Sequence, residues 1–171
     1  MPYKIPISNI VITLPGIPTP IDKYRAFCCY GNTFHLCVIR GFAVEKGESM
    51  KIRLLIGSLS VDGELNNTPA ALEIGRSLPV KATFDTWGEE IYFSVPVDAD
   101  LDESAREEVE PGDLGYWPTG KAFCIFFGQT PISSPGKIVP ASAVNIIGKI
   151  AGDPGVFKEV MNESEIIIEA A

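Results

Sequence analysis

Few residues in this chain are equipped for chemistry, and they are scattered. His35 is the only histidine, and Cys28, Cys29 and Cys37 lie close to it. Such soft ligands invite a metal, but the spacing matches no common zinc pattern. Vicinal cysteines rarely serve one tetrahedral ion together. A histidine-based triad would have to draw on His35. The fourth cysteine, Cys124, stands in the apolar run Ala122–Phe127 and reads as a buried, inert thiol. Asp85 with Glu89 or Glu90 offers an acid pair, with a solvated strand edge as the plainer alternative. There is no phosphate-cradling P-loop and no GxGxxG turn. The residues therefore give no catalytic group, no metal site and no cofactor.

The aromatics are more suggestive. Trp87, Tyr92, Tyr116 and Trp117 combine an apolar body with a polar tip, and they fall at strand ends and turns, where pockets form. Glu89 and Glu90 lie beside the first two. Strand alternation sends these two acids to opposite faces, so one pocket takes only one of them. Ile91 and Phe93 read as core, which puts Glu90, Tyr92 and Ser94 on the outer face. The candidate ligand-binding residues are Trp87, Glu90, Tyr92, Tyr116 and Trp117. The competing reading has Tyr116 and Trp117 plug a barrel end. Phe123, Ile125 and Phe127 read as core.

The elements that position these residues are mostly strands. Ile52, Leu54 and Ile56 alternate with Lys51 and Arg53, the period-2 pattern of a half-buried strand. Asp62-Gly63 and Asn66-Asn67 are turn signals. Thr68-Pro69 supplies an N-cap and a first-turn proline for a short helix over Ala70–Arg76. Strands follow at Val80–Phe84, Glu89–Val95, Leu114–Trp117, Ala122–Phe127 and Ala143–Ile150, with a turn at Trp87-Gly88. Asp98–Glu110 is an acidic surface loop. Asp153-Pro154 repeats the cap signal for a second helix, Gly155–Met161, and Ser164–Glu169 closes as a strand. The fold class is mainly β: a closed, eight-stranded antiparallel barrel with two short capping helices.

The 171 residues are enough for one domain with a sizeable core. A net charge of −8 disfavours nucleic acid and anionic membrane surfaces. No apolar run approaches the roughly 20 residues needed to span a bilayer. The charge is uneven: residues 1–49 carry five Lys/Arg and three Asp/Glu, and the remainder is strongly acidic. Met50, followed at once by a strand, looks like the natural beginning of a small protein. Codons for Lys46-Gly47-Glu48 can spell a purine-rich run resembling a ribosome-binding site. Residues 1–49 are thus read as an N-terminal extension, either a mis-assigned start or an arm covering a sheet edge, and residues 50–171 as the barrel domain.

Thr86-Trp87-Gly88-Glu89-Glu90-Ile91-Tyr92-Phe93, then Gly112-Asp113-Leu114-Gly115-Tyr116-Trp117-Pro118, resemble the cyclophilin-like family of small prokaryotic proteins. So do Ala122–Gly128, Thr130-Pro131 and Pro140–Ile150. The resemblance runs from about Met50 to the C-terminus. It implies an eight-stranded barrel capped by two helices, with a groove on the outer face. It names no reaction, since a fold does not fix a function. True cyclophilins are prolyl isomerases with a Phe-His-Arg strand, a Gln-Phe-Phe strand and a histidine before a Val-Val-Phe-Gly-Lys strand. The matching positions here read Glu90–Ser94, Ala122-Phe123-Cys124, and Val144 or Asn145. Arginine, glutamine and histidine are all missing. Trp117 falls where cyclophilins place small groove-lining residues.

The expected function is a cytoplasmic binding module for a small molecule or short peptide, without isomerase activity. A weak peptidyl-prolyl isomerase and an accessory subunit of a hydrolase or carboxylase system are the alternatives. One cysteine in the barrel domain fits a reducing cytoplasm. Partners are a small molecule or short peptide, with no nucleic acid and no membrane, and a homo-oligomer is left open.

Overall fold

The computed structural model describes residues 49–171. The expectations for residues 1–48, including those for His35, Cys28, Cys29 and Cys37, lie outside the described residues.

Alternation builds the first hairpin. Strand β1 (Met50–Ile56) buries Ile52, Leu54 and Ile56 and leaves Lys51 exposed. It pairs along its whole length with β2 (Leu59–Leu65), from Met50↔Leu65 to Ile56↔Leu59. The two residues left to turn the chain are Gly57 and Ser58, and Gly57 takes a φ of +56°, where glycine is least strained. Asp62-Gly63, expected as a turn, is strand interior. Asp62 forms an ion pair with Arg53 across the hairpin at 2.9 Å. Lys149 O approaches Gly63 closely: a Cβ would sit a tight 3.3 Å from it.

Helix α1 (Pro69–Ser77) follows, burying Ala70, Ala71 and Ile74, with Leu72 only half-buried. Thr68 precedes it in extended conformation, but its hydroxyl does not cap the helix. It donates instead to Asn66 Oδ1 at 2.7 Å, and Asn66 Nδ2 donates to Ile146 O at 2.7 Å. The start of the helix is thereby tied to the sheet.

The remaining strands are β3 (Val80–Thr83), β4 (Asp85–Thr86), β5 (Glu90–Ser94), β6 (Ala105–Arg106), β7 (Asp113–Trp117), β8 (Ala122–Phe126), β9 (Val144–Ile150) and β10 (Glu165–Ala170). All pairings are antiparallel, in the order β3-β10-β1-β2-β9-β7-β8-β5-β4, with β6 added on β9. The two ends of this path, β3 and β4, are separated in sequence by Phe84 alone. A sheet whose ends are one residue apart must curl into a barrel, and this one is nearly closed. The expected mainly β antiparallel barrel with two helical segments is what forms, on nine path strands rather than eight. The second helical segment, Pro154–Val160, is 3₁₀, with Asp153 Oδ1 accepting from Gly155 N–H at 2.8 Å.

The interior is continuous. Ile52, Leu54, Ile91, Leu114, Phe123, Ile125, Ile166 and Ile168 are almost wholly buried, and Ile74 and Phe157 join them from the two helical segments. Phe93 and Phe123 stack with centroids 5.3 Å apart. Each such side chain contributes about 1.5–3 kcal/mol of burial.

A smaller cluster lies on the outer face. Cys124, Phe126 and Val144 pack there under Val109 and Ile138. Val109 and Ile138 belong to the two long loops, and Val109 N–H donates to Ile138 O at 3.0 Å. Covered in this way, β8 is buried on both faces, which is why Ala122–Phe127 is an unbroken apolar run.

Candidate functional site

Beside this outer cluster the barrel wall is open. A recess of about 200 Å³ is lined by Trp87, Glu90, Tyr92, Trp117, Pro140, Ala141 and Val144. A second, of about 360 Å³, adjoins it and is lined in part by Thr83, Asp85, Ser94 and Gly120. Tyr92 and Trp117 line both, so these two rings divide a longer groove.

Strand parity explains the placement. On β5, Ile91 and Phe93 point inward, which leaves Glu90, Tyr92 and Ser94 on the outer side. On β7, Leu114 and Tyr116 point inward and Trp117 outward. Trp117 is held at both ends. Its Nε1–H donates to Ser142 Oγ at 2.8 Å. Its six-membered ring lies on Gly120, where a Cβ would sit 2.3 Å from the ring. Trp117 thus spans from the 3₁₀ turn Pro118–Gly120 to the Pro140–Ser142 segment.

Tyr116 corrects the expectation that grouped it with Trp117. It is fully buried in the barrel interior, because adjacent strand residues face opposite ways. Its hydroxyl donates to Val97 O at 2.8 Å and accepts from Ala99 N–H at 3.3 Å. The structure brings together four of the five candidate residues: Trp87, Glu90, Tyr92 and Trp117.

Glu90 is the charged group of the first recess. It is only 6% exposed. Burial pushes its carboxyl up to about 7 from 4.5, against a hydrogen bond from the Cys124 thiol that lowers it. Cys124, on β8, is itself pushed well above its ordinary value by burial first, and then by the charge and hydrogen bonding of Glu90. Cys124 is therefore buried as expected, but it also touches the one carboxyl in this recess. No ion pair reaches Glu90 among the described residues.

Glu89 goes the other way, as alternation requires. Its carboxylate pairs with Lys158 Nζ at 2.5 Å and accepts from Gln129 N–H at 3.1 Å. The Lys158 hydrogen bond holds its pKa below the usual value, more than burial raises it. Asp85 lies in the second recess, opposite Tyr92 in the ladder. The three acids therefore occupy three different settings.

The two positions matched to the cyclophilin histidine differ, and neither offers a titratable side chain to the groove. Val144 lines the recess, and Asn145 is fully buried. Asn145 Nδ2 donates to Asp100 O at 2.9 Å, and its Oδ1 accepts from Asp102 N–H at 3.0 Å. Among the described residues no three His, Cys, Asp or Glu side chains converge as metal ligands. None of their helices is long and apolar enough to cross a membrane.

Sequence reasoning missed Pro140, Ala141 and Val144 as walls, and Gly120 and Ser142 as the supports of Trp117. The one available signal was a glycine three residues after a tryptophan.

Comparison with known proteins agrees with this architecture. A family described as cyclophilin-like matches residues 50–169. A hypothetical protein from Archaeoglobus fulgidus, known from its solution structure, is 39% identical, with a TM-score of 0.61. The match covers 75% of this chain and 99% of that one. No curated protein matches. With its barrel, its outer groove and a family match over most of its length, the chain belongs to the cyclophilin-like family.

Proposed function

We propose that the barrel is a binding module for a small molecule, seated in the recess between Trp87, Tyr92 and Trp117, and that it lacks prolyl isomerase activity. The observation that carries this reading is Glu90: a carboxyl held almost out of water, on an apolar wall, with no cation beside it among the described residues. Burying such a group is costly, and its retention next to an open recess favours a role in recognition. A small molecule is favoured over a peptide strand because Trp117, fixed between Gly120 and Ser142, interrupts the groove.

Isomerase chemistry finds little support. The amide barrier is about 18–20 kcal/mol, and lowering it needs a donor aimed at the proline. Among the described residues the groove presents no arginine, and the Asn145 amide is spent on the 100–102 loop. Cys124, free and buried, fits a cytoplasmic setting.

A protease-coupled proline-peptide assay tests the negative half. The expected rate is the uncatalysed one; turnover abolished by Tyr92→Ala would overturn the reading. Thermal-shift screening tests the positive half. A ligand at 100 times its Kd adds about 2.7 kcal/mol of stability, and Trp117→Ala should remove the gain.

A further inference from the structure

We propose that the ligand of the Glu90 recess is a small organic cation, an ammonium group on an apolar or aromatic body. This rests on the binding-module reading above. The first argument is charge. The two adjoining recesses are lined by two carboxyl groups, Glu90 and Asp85, and by no lysine or arginine among the described residues. The titratable groups beside Glu90 are the Cys124 thiol on β8 and the Tyr92 phenol on its own strand. Neither can carry a positive charge in any protonation state. Asp85 stands in the second recess, and Lys158 is engaged by Glu89 on the other side of β5. Nothing in the described wall neutralises the Glu90 carboxylate, so an incoming cation would supply the missing partner.

The second argument is the wall itself. Trp87, Tyr92 and Trp117 all line the recess. The faces of such rings are electron-rich and attract cations, tryptophan most strongly. An anion would meet these rings and a carboxyl together and be repelled by both. The third argument is size. About 200 Å³ is below the roughly 300–1,000 Å³ of drug-sized pockets, which limits the body to something near a single ring.

Binding then carries a proton signature. Near pH 7 the Glu90 carboxyl is partly protonated. An ammonium selects the carboxylate, so binding releases a proton and strengthens with pH. If only the ionised form binds, affinity rises about tenfold between pH 6 and pH 8.

The test uses benzylammonium, its neutral relative benzyl alcohol and the anion phenylacetate. Each is titrated into the full ¹⁵N-labelled chain, reading the Trp87 and Trp117 indole N–H signals. Benzylammonium should bind at least tenfold more tightly than the other two at pH 8. It should weaken about tenfold from pH 8 to pH 6. Glu90→Gln should lose at least about 30-fold for benzylammonium and change little for benzyl alcohol. Should that variant fail to fold, the pH series on the unmodified chain decides the question in its place. Equal binding of benzyl alcohol, tighter binding of phenylacetate, or a flat pH profile overturns the cation and leaves the small-molecule site standing. No response at the indole signals to any of the three overturns both.

Discussion

Tyr116 and Asn145 stand opposite one another on β7 and β9, and together they hold four backbone groups of one loop. Tyr116 meets Val97 O and Ala99 N–H; Asn145 meets Asp100 O and Asp102 N–H. The acidic stretch Asp98–Glu110, expected as a surface loop, is thus fastened at its start from inside the barrel. Tyr116→Phe should cost about 1–3 kcal/mol, because it leaves a carbonyl and an N–H without their partner. Asn145→Ala should cost a similar amount. Since both act on one loop, the double variant should lose less than the sum. Urea unfolding measures all three, and full additivity would argue against a shared role.

Glu90 makes stability depend on pH in a direction opposite to that of an ion-paired carboxylate. Its folded-state pKa, about 7, lies above the unfolded value near 4.5. Between these values the folded chain holds a proton that the unfolded chain has released. Stability from this group is therefore greatest below about 4.5 and declines as pH rises through 7, with an upper bound of about 3 kcal/mol on the loss. Glu90→Gln removes the titration while keeping the shape. The variant should gain on the unmodified protein at pH 8, with the gain shrinking toward zero below about pH 4.5. Parallel stability curves for the two proteins would show that Glu90 does not titrate in this range.

These residues also show how far the chain could be read before its fold was known. Ile52, Leu54 and Ile56 declared their strand because a period of two leaves no other face to bury. Trp87, Glu90, Tyr92 and Trp117 were legible as neighbours, since the barrel framework aligns β5 with β7 through β8. Tyr116 was misjudged although its parity with Leu114 pointed inward; its polar tip suggested a site, and its hydrogen bonds to the 97–99 loop could not be foreseen. The burial of Glu90 was not legible either. Alternation put it on the outer face, but the recess it lines is shared with Pro140, Ala141 and Val144, distant along the chain. Asp62-Gly63 looked like a turn because both residues favour turns, whereas both are paired strand residues, with Lys149 O close beside the glycine.

Trp117 depends on the absence of a side chain at residue 120. A Cβ on Gly120 would lie 2.3 and 2.4 Å from two carbons of the indole ring, so Gly120→Ala must displace the ring. Displacement breaks the bond to Ser142 and changes both recesses. Ser142→Ala breaks only that bond and should cost about 0.5–1.5 kcal/mol. Gly120→Ala should cost more, and the Trp117 indole N–H signal should move further than in Ser142→Ala. An unmoved signal would mean that the ring does not rest on Gly120.

The turn between Trp87 and Glu90 governs the site more directly than any lining residue. Trp87 N–H donates to Glu90 O at 2.9 Å, so the two recess residues are the ends of one tight turn. Gly88 within it has a φ of +64°, and a Cβ there would lie 2.6 Å from Gln129 O. Both the left-handed backbone and the neighbouring backbone oxygen exclude a side chain. Gly88→Ala should therefore cost more than the roughly 1–2 kcal/mol of left-handed strain alone, because Gln129 cannot yield without losing the bond from Glu89 N–H. The turn relaxes by moving Trp87 or Glu90, so ligand affinity should fall even where the variant remains folded. Thermal unfolding and the indole titration, run on the same sample, separate the two effects. A variant that loses stability and keeps its affinity would show that this turn does not set the geometry of the recess.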